Sequence, residues 1–189
     1  MSLKINKLTE IMHYRHQPFF ILSGLLFLSQ FLLACSHLDA KNSIQLSRTE
    51  SWILLPLENL AETPRASERA ENLLESYLRN RGLQHLKTYP QDDNESLSLL
   101  LNDKKRIEKA KTWAKQKNIR YALTGSVQEW RYKTGLDGEP AVGLTLKLID
   151  LQTDKIIWNG SASRTGWGYE NLTGTASKVI EGLLSRLSF

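Results

Sequence analysis

The spacing of apolar residues changes character several times along this chain, and each change predicts an element. From Phe19 to Leu33 the chain is apolar for 15 residues, interrupted only by Ser23, Gly24, Ser29 and Gln30. After residue 50 the runs shorten. Ser51 to Leu57 is a compact apolar stretch closed by Glu58-Asn59, the mark of a buried strand. Ala66, Ala70, Leu73, Leu74, Tyr77 and Leu78 recur at helical spacing. Pro64 suits a first turn and Gly82 the position past the last, so an amphipathic helix is predicted over 64–81. Leu83 to Tyr89 predicts a second strand, stopped by Pro90, and 91–95 reads as an exposed acidic loop with Asp92, Asp93 and Glu95.

A second helix is expected over 103–117, turning Ile107, Ala110, Trp113 and Ala114 inward, with Asn118 as a left-handed cap. Arg120 to Lys133 is rich in β-formers and predicts a third strand, and 135–140 is dense in turn formers. Val142, Leu144, Leu146 and Leu148 alternate with Gly143, Thr145 and Lys147, the period of a half-buried strand. Asp150 to Asp154 turns the chain into a partner strand over 155–164. Leu172, Ala176, Val179, Ile180, Leu183, Leu184 and Leu187 predict a closing helix. The order β-α-β-α-β-β-β-α implies an α+β domain, a mixed β-sheet with helices packed on one face of it in two or three layers. No insertion carries the paired segments of ~9–11 alternating residues that a membrane-spanning hairpin needs, so the chain is not expected to build a pore alone.

The first apolar run changes this picture. Basic residues precede it, Ala34 follows it, and a permanent transmembrane helix needs roughly 20 apolar residues. Residues 1–34 therefore read as a secretory signal. Leu32-Leu33-Ala34-Cys35 resembles the bacterial lipobox, which implies diacylation of the Cys35 thiol, cleavage before it, and acylation (palmitate or a similar chain) of the new amino terminus. Several acyl chains hold a protein durably where one would be marginal. A plain signal peptide with an incidental cysteine, or an uncleaved anchor, are the alternatives. Ser36 stands where an aspartate would retain the protein in the inner membrane, so the outer membrane, periplasmic face, is the expected location. Residues 35–49 read as a lipidated tether reaching roughly 50 Å at most, and residues 50–189 as one periplasmic domain.

Composition removes other classes. The chain has 189 residues and a formal charge of +5. Three of its 25 basic residues (Lys4, Lys7, Arg15) and one of its 20 acidic residues (Glu10) lie in the leader, leaving +3 on the remainder. That is a mixed surface, not a nucleic-acid footprint. Cys35 is the only cysteine, so no disulfide forms within the chain. After the leader only His37 and His85 remain, with no nucleophile elbow and no metal-ligand spacing; no enzyme and no cofactor are expected.

Leu55 to Asn59, Tyr121 to Val127, Leu148 to Asp150 and Ile157 to Gly160 together resemble the anchor domain of curli-secretion-type periplasmic lipoproteins. Trp130 to Pro140 and Ser163 to Gly168 are most similar to the lipoproteins of the Pel exopolysaccharide export apparatus, and the likeness spans about residues 50–187. The resemblance implies a non-catalytic outer-membrane lipoprotein that forms a closed homo-oligomeric ring, of the dodecamer type. Such a ring guides a cationic exopolysaccharide to a β-barrel exporter of the PelB type. It also implies roles for three residues. Trp167, between two glycines, would be a membrane-facing aromatic, or else an edge or core residue. Asp137 would face the polysaccharide or a neighbouring subunit, or serve its own turn. Arg120 would pair with a carboxylate within or across subunits, or be a solvated strand-end charge.

A rival reading is a monomeric lipoprotein that regulates peptidoglycan synthases. That role demands a long tether to cross the periplasm, and the stretch after Cys35 is short.

Overall fold

A computed structural model describes residues 36–40, 44–90, 102–135 and 137–188 of the chain. The leader, Cys35 and the acidic loop with Asp92, Asp93 and Glu95 lie outside the described residues. The elements are β1 (Ser36–Ala40), β2 (Ile44–Gln45), β3 (Trp52–Asn59), α1 (Ala66–Asn80), β4 (Leu86–Thr88), α2 (Asp103–Gln116), β5 (Tyr121–Tyr132), β6 (Pro140–Asp150), β7 (Lys155–Thr165), α3 (Leu172–Leu184) and β8 (Leu187–Ser188). From β3 to α3 they follow the expected order, and the α+β class holds.

The main sheet runs β1-β7-β6-β5-β3-β4. β3 lies parallel to β4 and β5, while β5, β6 and β7 form an antiparallel meander. The helices do not all share one face. Trp52, Leu54, Leu57, Leu123, Val127, Leu144, Leu146 and Trp158 meet the apolar stripes of α1 and α3 in one core. Ile53, Leu55 and Ala122 point the other way and meet Ala110 and Ala114 of α2. β3 is thus buried on both sides, which is why its sequence is continuously apolar rather than alternating.

Pro56 explains the details around β3. Proline has no N–H for the ladder, and the pairing of β3 with β5 shifts register between Leu54 and Leu57. The backbone N–H groups beyond it find side-chain acceptors. Leu57 donates to Glu71 Oε1 at 2.7 Å and Asn59 to Asp103 Oδ2 at 2.8 Å. Arg106 lies 3.6 Å from each of those two carboxylates with its side chain only 7% exposed. The buried stripe of α2 is therefore Arg106, Ala110 and Ala114. Ile107 and Trp113, expected inward, are only partly buried, because small alanines set the approach of α2 and an arginine balances its acids.

Two further differences concern the ends of the chain. Ser36–Ala40, read above as tether, pairs antiparallel with β7, and Ile44–Gln45 pairs with β8. The closing helix stops at Leu184, and Leu187 is buried from a short strand instead. Asn118 takes the left-handed conformation expected of it (φ 52°).

Candidate membrane-facing site

Asp137 and Trp167 are 30 positions apart and their loops touch. The β5–β6 connection turns at Gly138, whose φ of 52° suits a residue without Cβ. The β7–α3 connection packs against it so closely that a Cβ on Gly168 would sit 2.6 Å from the carbonyl oxygen of Asp137. Glycine at 168 is a contact requirement, not a flexibility device. Gly166 donates its N–H to the Pro140 carbonyl at 2.7 Å. Between these two pinned glycines the Trp167 side chain is 39% exposed.

The rest of the loop is held as firmly. Trp167 O accepts the Glu170 N–H at 2.8 Å, closing a turn with Gly168 and Tyr169 at its tip. Glu170 lies 3.0 Å from Lys178 and 3.5 Å from Arg164, and its Oε2 accepts from the Thr175 hydroxyl. The hydrogen bond from Lys178 outweighs burial, so the Glu170 carboxyl is held below its ordinary range. Asn171 accepts from the Gly174 N–H and caps α3. An open depression of about 530 Å³ results, lined by Asp137, Glu139, Trp167, Gly168 and Tyr169. Asp137 is exposed and has no ion-pair partner among the described residues, whereas Glu139 lies 3.9 Å from Lys133.

β1 enters the sheet at this same end. Ser36 pairs with Arg164, three positions before Trp167. Cys35, the expected lipidation site, is the residue before Ser36 in the chain.

Arg120 is elsewhere. It stands just before β5, while Asp137 and Trp167 lie past the far ends of β5 and β7, a strand length of roughly 40 Å away. Its guanidinium donates to Asp150 Oδ2 from Nε at 3.2 Å and Nη2 at 3.1 Å, and lies over the Tyr121 ring at 5.3 Å. Its own N–H donates to the Ser51 hydroxyl. Burial alone would raise the Asp150 carboxyl, but the N–H groups of Gln152 and Thr153 and the Arg120 guanidinium outweigh it and lower it. The hydrogen bond to Asp150 in turn raises the Arg120 guanidinium. Of the alternatives left open by sequence, the structure shows a pair within the chain.

Tyr169 and Tyr132 were not singled out by sequence. Tyr169 is 86% exposed, and Tyr132, 50% exposed, accepts the Leu172 N–H on its hydroxyl. The available signal was an aromatic in a Gly-Trp-Gly-Tyr stretch that belongs to no strand or helix stripe. Among the described residues no group of His, Cys, Asp and Glu could hold a metal ion, and no helix is long and apolar enough to cross a membrane.

The sheet with two helices on one side and one on the other is a fold also found in Lipoprotein GNA1162 from Neisseria meningitidis. That structure matches with a TM-score of 0.51 at 14% identity, over 72% of this chain and 96% of that one. Two solved structures of PelC dodecamers from Paraburkholderia phytofirmans are much more similar in sequence. One, of a variant, has a TM-score of 0.69 at 34% identity and covers 82% of this chain and 99% of that one. The other has a TM-score of 0.68 at 33% identity and covers 80% and 96%. The chain belongs to the PelC family. No protein-family model and no curated protein matches it.

Proposed function

We propose that this protein is a non-catalytic lipoprotein of the outer membrane, anchored through acyl chains on Cys35, with its domain on the periplasmic face. Identical copies close into a ring, and the ring guides a cationic exopolysaccharide of the Pel type to a β-barrel exporter of the PelB type. The observation that carries this reading is the 34% identity, over 99% of its length, to a protein that forms a dodecamer. Repeated head-to-tail contacts either close or polymerise, and closure suits a collar around an exit.

The geometry supports the same reading. Trp167 is half-exposed on a rigid loop beside the residue that follows Cys35, where an indole can rest among lipid headgroups. Asp137 adds an unpaired carboxylate to the same end, on the path a polymer takes toward the membrane. Arg120 is spent on Asp150 of its own chain, and its contribution is to hold the opposite strand ends together. Pairing of Ser36–Ala40 into the sheet also shortens the tether, which speaks against a messenger that must cross the periplasm.

The mass of the purified lipoprotein in mild detergent tests the ring. Light scattering should report about a dozen copies in one particle. A monomer or dimer at high concentration removes the collar role.

A further inference from the structure

The turn after β7 carries an aromatic side chain that nothing in the protein uses. Tyr169 is 86% exposed, yet its backbone is immobilised on both sides. The Glu170 N–H closes the turn onto Trp167, Gly168 abuts the Asp137 backbone, and Glu170 is tied to Lys178. A loop that needs only to connect β7 to α3 has no reason to present a tyrosine rigidly to water. Tyr132, Trp167 and Tyr169 are three of the five large hydrophobic residues exposed among the described residues, and all three are at this end; Leu60 and Ile156 stand apart. Scattered exposed apolar residues are ordinary, whereas a group of them marks a contact surface. Tyrosine and tryptophan each carry an apolar body and a polar tip, which suits the boundary between acyl chains and water.

The position of the proposed anchor names the occupant. Ser36 is opposite Arg164, so whatever bilayer holds the residue before Ser36 lies against this end of the sheet. The charges say what kind of bilayer it is. Arg131 pairs with Glu129, Lys133 with Glu139, and both Arg164 and Lys178 with Glu170. Arg164 and Lys178 share one carboxylate, so four basic groups stand against Glu129, Glu139, Glu170 and the unpaired Asp137, and the charges balance. No surplus of positive charge is available to attract anionic lipid.

We infer that Tyr169 is a second membrane-contacting residue, which with Trp167 forms a two-aromatic foot on the headgroup layer, and that this contact does not draw on anionic lipid. The inference rests on the reading of Cys35 and Trp167 given above and adds a residue and a lipid preference to it.

Collisional quenching by brominated lipid tests both parts in the acylated mature lipoprotein, reconstituted into phosphatidylcholine vesicles. Trp52, Trp130 and Trp158 are buried and Trp113 is on α2, so they supply a constant background. Quenching should fall to that background in Trp167→Phe and return to within a factor of about two of wild type when Tyr169→Trp is added. A silent double variant beside a quenched wild type overturns the role of Tyr169 and leaves Trp167 standing. Silence in both overturns this inference and the membrane-facing reading together. Exchanging half of the phosphatidylcholine for phosphatidylglycerol should leave quenching unchanged or lower, and a several-fold rise overturns the lipid preference. Tyr169→Trp places a similar ring at a solvent-facing position, so folding is not at stake.

Discussion

Arg120 comes one residue before β5 and Asp137 five residues after it, so the two charges mark opposite ends of one strand. At the Arg120 end the charges that tie elements together are answered within the chain. Arg120 meets Asp150, and Lys111 and Lys115 both meet Asp154, at 2.8 and 3.2 Å, tying α2 to the β6–β7 hairpin. At the Asp137 end the backbone is pinned just as firmly, but Asp137, Trp167 and Tyr169 are left facing outward. Rigid backbone with satisfied side chains is architecture. Rigid backbone with unsatisfied aromatic and acidic side chains is a surface prepared for something else, because ordering it gains nothing in the isolated domain.

Substitutions should separate the two ends, and the largest effect belongs to the Arg120 end. Asp150→Ala removes acceptors for Arg120 and for the N–H groups of Gln152 and Thr153. It should cost about 2–3 kcal/mol in denaturant unfolding, with little effect on membrane contact measured on the folded protein. A smaller loss would mean that water replaces the pair. Gly168→Val drives a side chain into the Asp137 carbonyl and should cost about 1–3 kcal/mol. It should also displace the Trp167 loop, read as loss of quenching by brominated lipid. Trp167→Ala should cost about 1–2 kcal/mol, against ~3–5 for a fully buried tryptophan, while export drops. A melting loss as large as that of Trp158→Ala would make Trp167 a core residue after all.

The remaining effects are smaller. Asp150 has a lowered pKa in the folded protein. Its stabilisation is present above the unfolded carboxylate value, about 4, and is lost as pH falls through the folded value. Between pH 5 and 3 the wild-type chain should therefore lose stability more steeply than Asp150→Asn. Equal slopes would show that the pair does not persist in solution. Asp137→Asn, with no partner to lose, should change stability by less than about 0.5 kcal/mol. Export of the polymer should fall all the same, and unimpaired export would reduce Asp137 to a turn residue.

Periodicity made most of the framework readable. The stripes of α1 and α3, the alternation in β6 and the left-handed Asn118 follow from residues within a few positions of one another. β1 was not readable because the alternation of Leu38 and Ala40 with His37 and Asp39 is too short to mark a strand; it becomes one by adding to the open edge of β7. Arg106 was hidden for a related reason. A charged residue at the end of the basic run Lys104-Lys105 reads as solvated until Glu71 and Asp103 are known to converge on it. The glycines at 166 and 168 read as loop, whereas each sits where backbone or side-chain atoms leave no room for a Cβ.

By itself the sequence determined the order of the elements from β3 to α3, the apolar stripes of α1 and α3, and the family, since all of these are carried by residue spacing and identity along the chain. Only the tertiary structure decided that α2 covers the opposite face from its sister helices, that Arg120 is spent within its own chain, and that Asp137, Trp167 and Tyr169 share one end with the entry of β1. Those facts depend on which strands pair and in what register, and pairing joins residues as far apart as Ser36 and Arg164, beyond the range over which local pattern carries information.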